Sequence, residues 1–160
     1  MDKKIMPSIL FVCTANRFRS PLAAAIFLSK LNASNWRVES AGTWATAGQP
    51  AMKEAISEAQ KRGLDISQHT SKLVNEKLIR EFDLILVMES GQKEALLHEF
   101  PRLKDRIYLL TEVAGNTAYS ISDPYITEET PEVIANEIEN LIQKNFDVIC
   151  NLVIRKRSPS

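Results

Sequence analysis

The chain has 160 residues, 44% of them hydrophobic and 25% charged, so it is long enough to bury a core of its own. Twenty basic and twenty acidic residues balance, which excludes a global charge excess that would point to nucleic acid or to an acidic membrane surface. Two cysteines far apart exclude a disulfide framework, and two histidines without metal-ligand spacing predict no structural metal.

The pattern predicts a single domain over residues 1–160, with a core at about 7–153 and a disordered basic tail at 155–160. The first apolar run is broken at Pro7 and Ser8, and no small-residue cleavage site follows a longer one. No apolar stretch approaches the length that a bilayer requires. We therefore expect a cytoplasmic protein with reduced thiols, without a cofactor and without a membrane or nucleic-acid partner.

In chain order, the first predicted element is a strand at residues 9–12, a short apolar run that ends at a cysteine. A helix at 21–31 follows, with Ser20 as its N-cap and a proline in its first position. A second strand is predicted at 37–41, ended by Gly42.

A helix at residues 50–62 is the next predicted element, stopped by Gly63. Residues 64–80 favour two short helical pieces. The run at 83–88 is the strongest strand pattern in the chain, and a helix at 90–99 follows it.

The last predicted elements are a strand at 106–110, a long polar loop at 111–130 and a helix at about 131–153. Strands that alternate with helices favour parallel pairing through right-handed crossovers. The sequence therefore predicts an α/β three-layer sandwich, in which a four-stranded parallel sheet has helices on both faces. Ligands of such sheets bind at the carboxyl ends of the strands, and Cys13 ends the first one.

The loop after this strand has the chemistry of a phosphate site. A thiol, Cys13, and a guanidinium, Arg19, are separated by five residues, and a helix begins behind them. The helix N-terminus and the arginine both favour a thiolate, and the planar guanidinium fork suits two phosphate oxygens. Backbone N–H groups of the loop would hold the remaining oxygens. The predicted phosphate-binding residues are Thr14, Ala15, Asn16, Arg17, Phe18 and Ser20.

Two residues of this site have alternative interpretations. Ser20 can cap the helix, or its hydroxyl can hydrogen-bond the cysteine sulfur, and both roles are compatible. Asp123, which precedes a proline and Tyr125, is the best candidate for an acid that protonates the leaving oxygen. Asp-Pro is also a common turn dipeptide.

Residues 13–21 read CTANRFRSP and resemble the loop of the low-molecular-weight protein tyrosine phosphatases, Cys-x-Gly-Asn-x-Cys-Arg-Ser-Pro. The resemblance covers about residues 7–150 and includes SAGT at 40–43, DISQH at 65–69 and DPY at 123–125. It implies that Cys13 is the nucleophile, that Arg19 binds phosphate and the transition state, and that Asp123 is the general acid and then the base.

The resemblance also implies a supporting hydrogen-bond network and a pocket wall. The network comprises Asn16, Ser20, Ser40 and His69. Ala45 stands where relatives often carry an aromatic wall residue, and we expect Trp44 beside it and Tyr125 to form the wall.

The loop departs from the family pattern at Ala15, which replaces a glycine, and at Phe18, which replaces a second cysteine. Without that cysteine, oxidised Cys13 lacks a neighbouring thiol.

We expect a phosphatase that works through a phosphocysteine intermediate on a phosphorylated protein, with phosphotyrosine favoured, or on a small aryl phosphate.

Arsenate reduction would need more cysteines than Cys150 to relay a disulfide. Protein-arginine phosphatases resemble the chain but carry a threonine at the position of Arg17. A phosphocysteine carrier of the sugar-transport type would need neither Arg19 nor Asp123. A non-catalytic phosphoprotein-binding module is opposed by the presence of Cys13 together with those two residues.

Overall fold

Four parallel strands form the middle layer of the computed structural model, which describes residues 6–32, 35–115 and 117–157. The strands lie in the order β2-β1-β3-β4. Their bounds are β1 (Ser8–Cys13), β2 (Arg37–Gly42), β3 (Leu84–Val87) and β4 (Ile107–Leu109). Each coincides with one of the four predicted strands, which confirms the predicted parallel sheet.

Helices cover both faces of this sheet. They are α1 (Arg19–Lys30), α2 (Lys53–Lys61), α3 (Glu76–Arg80), α4 (Ser90–Glu99), α5 (Leu110–Gly115), α6 (Pro131–Lys144) and α7 (Phe146–Arg157), and a 3-10 helix spans Pro101–Arg106. Within the described residues, no helix has both the length and the apolar character that a membrane span requires.

Alternation along β1 divides the core into two layers. Ile9 and Phe11 are buried against α1, α2, α5, α6 and α7, whereas Leu10 and Val12 are buried against α3 and α4. Each such apolar side chain stabilises the fold by roughly 1.5–3 kcal/mol. The alternation explains the three-layer α/β sandwich, which confirms the predicted fold class.

The N-cap prediction for Ser20 is wrong. Helix α1 begins at Arg19, its N-cap position is Phe18, and no side chain caps it. Ser20 lies inside the first turn and is fully buried, and its hydroxyl bonds to Cys13 at the end of β1 and to Asn16 in the loop rather than capping the helix.

The segment between β2 and β3 is more extended than predicted. Helix α2 is shorter than the predicted 50–62, because Pro50 pairs in an isolated antiparallel bridge with Thr70. Of the two helical pieces expected at 64–80, only α3 is present among the described residues. The rest runs along the edge of β2, where Leu73 forms a parallel bridge with Gly42.

The C-terminal part also differs from the prediction. Helix α5 occupies the start of the expected loop at 111–130. The predicted helix at 131–153 is two helices, which separate at Asn145, whose side chain donates to the carbonyl of Leu141 at 3.0 Å.

The expected disorder of the basic tail is wrong for residues 155–157, because α7 continues to Arg157. The Nε atom of Arg157 lies 3.4 Å from Asp83 Oδ2, and the ammonium of Lys156 lies 5.1 Å from the ring centroid of Tyr108. Residues 158–160 lie outside the described residues.

Candidate active site

The phosphate loop, residues 13–20, connects the carboxyl end of β1 to the first turn of α1. Cys13 is buried at the end of the strand, and its Sγ lies 3.0 Å from Ser20 Oγ. Asn16 adopts a left-handed backbone with φ of 60°, a conformation that asparagine tolerates better than most residues. This conformation reverses the direction of the chain, so the two ends of the loop, Cys13 and Ser20, come together.

Asn16 also supports the loop through its polar groups. Its side-chain amide donates to Ser20 Oγ at 2.8 Å and to Ser40 Oγ at 2.9 Å. Its Oδ1 accepts from the backbone N–H of Lys72 at 3.0 Å, and its carbonyl accepts from His69 Nε2 at 2.7 Å. The structure therefore brings together all four residues of the expected network.

The hydroxyl of Ser20 is oriented toward the sulfur by this network. Because Ser20 Oγ accepts from Asn16, its own hydrogen is left for Cys13 Sγ or for the more distant carbonyl of Ala41 at 3.4 Å. A hydroxyl that donates to the sulfur stabilises the thiolate form.

His69 is neutral in this arrangement. Burial of the ring lowers the pKa of His69 below its ordinary 6.5, and the nearby charge of Lys72 lowers it further, while the bond to Asn16 opposes both. A neutral ring with its proton on Nε2 donates to the carbonyl of Asn16 without placing a charge beneath the loop.

Arg19 lies at the other end of the loop, with a side chain only 3% exposed. Its Nη1 atom donates to Glu89 Oε1 and to the carbonyl of Ile121 at 2.8 Å. Its Nη2 atom lies 3.7 Å from Asp123 Oδ2. The guanidinium therefore joins the phosphate loop to the segment that carries the predicted acid.

Asp123 is at the same time the turn residue that the Asp-Pro dipeptide predicts. Its Oδ1 accepts from the backbone N–H of Tyr125 at 2.9 Å, and its carbonyl accepts from the backbone N–H of Ile126 at 3.2 Å. The turn leaves Oδ2 directed toward the guanidinium of Arg19. The turn interpretation and the functional interpretation thus describe one geometry.

Trp44 and Tyr125, the expected wall residues, contact the phosphate loop, and Arg17 belongs to it. Trp44 is 85% exposed, and its backbone N–H donates to the carbonyl of Thr14 at 3.0 Å. The hydroxyl of Tyr125 donates to Glu54 Oε2 at 2.8 Å, and burial raises the pKa of Tyr125 well above its ordinary value. Arg17 Nε donates to the carbonyl of Pro50 at 2.7 Å.

The two departures from the family loop are accommodated differently. Among the described residues, Asn16 is the one non-glycine residue with positive φ, so the backbone at Ala15 suits a Cβ. Phe18 is buried in the core beneath the loop, and its ring meets that of Tyr125 edge-on with centroids 6.1 Å apart. Phe18 thus makes a hydrophobic contact at the position where the family pattern has a second cysteine.

Sequence reasoning missed two residues of this site, Glu89 and Gln92. Gln92 is buried, and its Nε2 donates to Thr14 Oγ1 at 2.9 Å. Both residues follow β3, whose carboxyl end lies beside that of β1. The sequence did contain one indication of their role, because both are polar residues that follow closely after the strongest predicted strand.

Comparison with known proteins places this combination of fold and loop in one class. The family model for low molecular weight phosphotyrosine protein phosphatase matches residues 8–154, so the chain belongs to that family.

Relatives within the family differ in their named substrates. A protein-arginine-phosphatase of Geobacillus stearothermophilus is 34% identical over 85% of this chain and 91% of its own length. A probable low molecular weight protein-tyrosine-phosphatase of Ralstonia nicotianae is 32% identical over 89% and 93%. The crystal structure of a low molecular weight protein tyrosine phosphatase from T. tengcongensis superposes with a TM-score of 0.80 at 36% identity, covering 88% of this chain and 97% of its own.

Proposed function

We propose that this protein is a cysteine-dependent phosphatase that hydrolyses phosphotyrosine in proteins. The observation that carries the proposal is the meeting of a thiol, a buried guanidinium and a carboxylate at one loop, with Cys13 and Arg19 at its ends and Asp123 3.7 Å from the guanidinium. Membership of the family supports the same chemistry.

In the first step, the thiolate of Cys13 attacks phosphorus and the bond to the leaving oxygen breaks. Arg19 and the N–H groups of the loop hold the equatorial phosphate oxygens, whose charge is spread in the transition state. Asp123 gives its proton to the leaving oxygen, so a neutral phenol departs. The product on the enzyme is a phosphocysteine.

In the second step, water attacks the phosphocysteine. Asp123, now a carboxylate, takes a proton from the water, and the thiolate of Cys13 leaves. The hydrogen bond from Ser20 stabilises that thiolate, which makes the sulfur a better leaving group. Inorganic phosphate then dissociates.

The chemistry requires a reduced sulfur, which supports a cytoplasmic location. A phosphoprotein substrate is supported by Trp44, whose exposed side chain offers an aromatic surface beside the loop.

Hydrolysis of phosphoarginine is the second candidate, because a relative 34% identical to this chain bears the name protein-arginine-phosphatase. Arg17 lies within the phosphate loop, with its Nε bonded to the carbonyl of Pro50, so the guanidinium of a phosphoarginine would meet a like charge at the loop. This repulsion favours phosphotyrosine.

The test is hydrolysis of one peptide sequence that carries either phosphotyrosine or phosphoarginine. We expect the wild type to prefer phosphotyrosine, and Arg17→Thr to reduce that preference. The function would instead be that of an arginine phosphatase if the wild type preferred phosphoarginine, and release of phosphate from neither peptide would contradict both candidates.

A further inference from the structure

We propose that Glu89 is a positioning residue that presents Arg19 to the phosphate. The role rests on the proposed phosphatase function. Glu89 is not part of the loop motif. It lies 70 residues from Arg19 in sequence and reaches Arg19 from the turn between β3 and α4.

The hydrogens of Arg19 show how this positioning works. Nη1 carries two hydrogens, and the carboxylate of Glu89 and the carbonyl of Ile121 accept them. Nη2 is 3.7 Å from Asp123, beyond hydrogen-bond distance. Within the described residues, the hydrogen bonds of the guanidinium are therefore those of Nη1. The Nε and Nη2 side is left as the fork that binds two phosphate oxygens.

The carboxylate of Glu89 is needed because the carbonyl of Ile121 fixes only one hydrogen of Nη1. A single bond leaves the guanidinium plane able to rotate about it. Two acceptors on one nitrogen set the orientation of the plane, and thus the direction of the remaining fork. Glu89 is 30% exposed while Arg19 is 3% exposed, so the carboxylate closes the open side of a buried cation.

Gln92 holds the turn that carries Glu89. Its Oε1 accepts from the backbone N–H groups of Met88 at 3.0 Å and Glu89 at 2.9 Å. Because the oxygen is used in this way, the NH₂ group points away from the turn and donates to Thr14 Oγ1 at 2.9 Å. One turn therefore binds both ends of the phosphate loop, through Thr14 directly after the nucleophile and through Arg19 at the start of α1.

The sheet explains why this turn reaches the loop. Strands β1 and β3 are parallel neighbours with Val12 opposite Val87. The backbone N–H of Met88 donates to the carbonyl of Val12 at 3.2 Å, which continues the pairing up to the residue before Glu89. The carboxylate is thus attached to the same rigid sheet edge as the nucleophile.

The experiment compares Glu89→Ala and Glu89→Gln in the wild type and in the Arg19→Lys background. Glutamine keeps an acceptor of the same length, so it should retain most of the positioning. The matched control is Glu81→Ala, which breaks another arginine–glutamate pair. Its carboxylate is 33% exposed and lies 3.0 Å from Arg37, at the amino ends of the strands and therefore away from the site. The readouts are the affinity for inorganic phosphate by calorimetry, and kcat and KM for an aryl phosphate.

We expect Glu89→Ala to weaken phosphate binding and to lower kcat/KM on the order of 10²-fold, the effect of a misplaced binding group. Glu89→Gln should retain most of the phosphate affinity and most of kcat/KM, and Glu81→Ala should change neither quantity. In the Arg19→Lys background, Glu89→Ala should have little further effect, because the group it positions is already lost.

Unchanged phosphate affinity in Glu89→Ala would overturn the proposal. It would also be overturned if the losses of kcat/KM caused by Glu89→Ala and by Arg19→Lys multiplied fully in the double variant. Calorimetry in the Cys13→Ser background needs no turnover, so it separates this outcome from failure of the phosphatase function itself. A loss of phosphate affinity there would support the positioning role even if no phosphate ester were hydrolysed.

Discussion

Asp123 combines two roles in one residue, and a single substitution can separate them. Asparagine keeps the Oδ1 acceptor that holds the N–H of Tyr125 but removes the acidic proton. We expect Asp123→Asn to slow hydrolysis of a phenyl phosphate about 10²–10⁴-fold, the usual contribution of a general acid. The loss should be much smaller with a nitrophenyl ester, whose leaving group needs less protonation.

The measurement is kcat/KM for both esters, which covers the steps through departure of the leaving oxygen and not the later hydrolysis of the phosphocysteine, with Asp123→Ala to show the added effect of losing the turn. Equal losses with the two leaving groups would mean that the acid is another residue.

His69 makes the stability of the fold depend on pH. Since burial lowers the pKa of His69 from its ordinary 6.5, the unfolded chain takes up a proton on this residue before the folded chain does. Its contribution is therefore fully present above 6.5 and is lost as the pH falls through the lower pKa of the folded state. We expect the free energy of unfolding of the wild type to fall more steeply below about pH 6.5 than that of His69→Gln.

Urea unfolding between about pH 8 and pH 5 measures this difference. The control is His98→Gln, which changes an exposed histidine on α4. Parallel pH profiles for the wild type and His69→Gln would contradict the assignment.

The sequence could predict some residues of the site and not others. Cys13 and Arg19 were predicted because one short loop contains both, and Asp123 because its dipeptide and the following tyrosine are distinctive. The capping role of Ser20 was wrong, because its partner Asn16 becomes visible only when the loop folds back at φ 60°. Glu89 was missed because its partner lies 70 residues away.

At the scale of elements, the end of β2 limits where the phosphate loop can lie. A Cβ on Gly42 would lie 2.3 Å from the carbonyl of Thr14 and 3.1 Å from the backbone N of Asn16. Because these are backbone atoms, they cannot rotate away. We expect Gly42→Ala to destabilise the fold by about 1–3 kcal/mol, as overpacking does, and to lower kcat/KM by displacing the loop.

Gly91→Ala is the matched control, because a Cβ there meets nothing within 4 Å and α4 gains a better helix former. The stability of the two variants is compared by thermal unfolding, and their kcat/KM is compared with an aryl phosphate. Wild-type activity in Gly42→Ala would show that the loop does not depend on this contact.

Strands were predicted better than helices, for physical reasons. Strands β1 and β3 are short apolar runs buried on both faces, a pattern that depends little on its neighbours. The segment at 64–80 was misassigned because its backbone pairs with β2 and Pro50 rather than with itself. The break between α6 and α7 depends on a side-chain bond at Asn145, which hydrophobic periodicity does not contain.

At the scale of the whole molecule, the distribution of thiols predicts the response to oxidation. The chain has two cysteines, and the one other than Cys13 is Cys150 on α7, packed against the core. Burial and the nearby Asp147 raise the pKa of Cys150 to about 11, so its thiol is protonated at neutral pH and is a poor resolving nucleophile. We expect prolonged peroxide to inactivate the enzyme in a way that thiol reductants reverse poorly.

The residual activity after peroxide and then dithiothreitol should be the same in the wild type and in Cys150→Ser. Full recovery in the wild type but not in Cys150→Ser would show that Cys150 protects the nucleophile through a disulfide.

The central claim is that Cys13 is the nucleophile of a phosphatase, and the most direct measurement is the rate of aryl phosphate hydrolysis by Cys13→Ser beside the wild type. The serine hydroxyl keeps the size of the side chain but is a far weaker nucleophile at neutral pH. We predict that the wild type turns over the ester and that Cys13→Ser does not, while it still binds inorganic phosphate. Hydrolysis by Cys13→Ser at the wild-type rate would contradict the account.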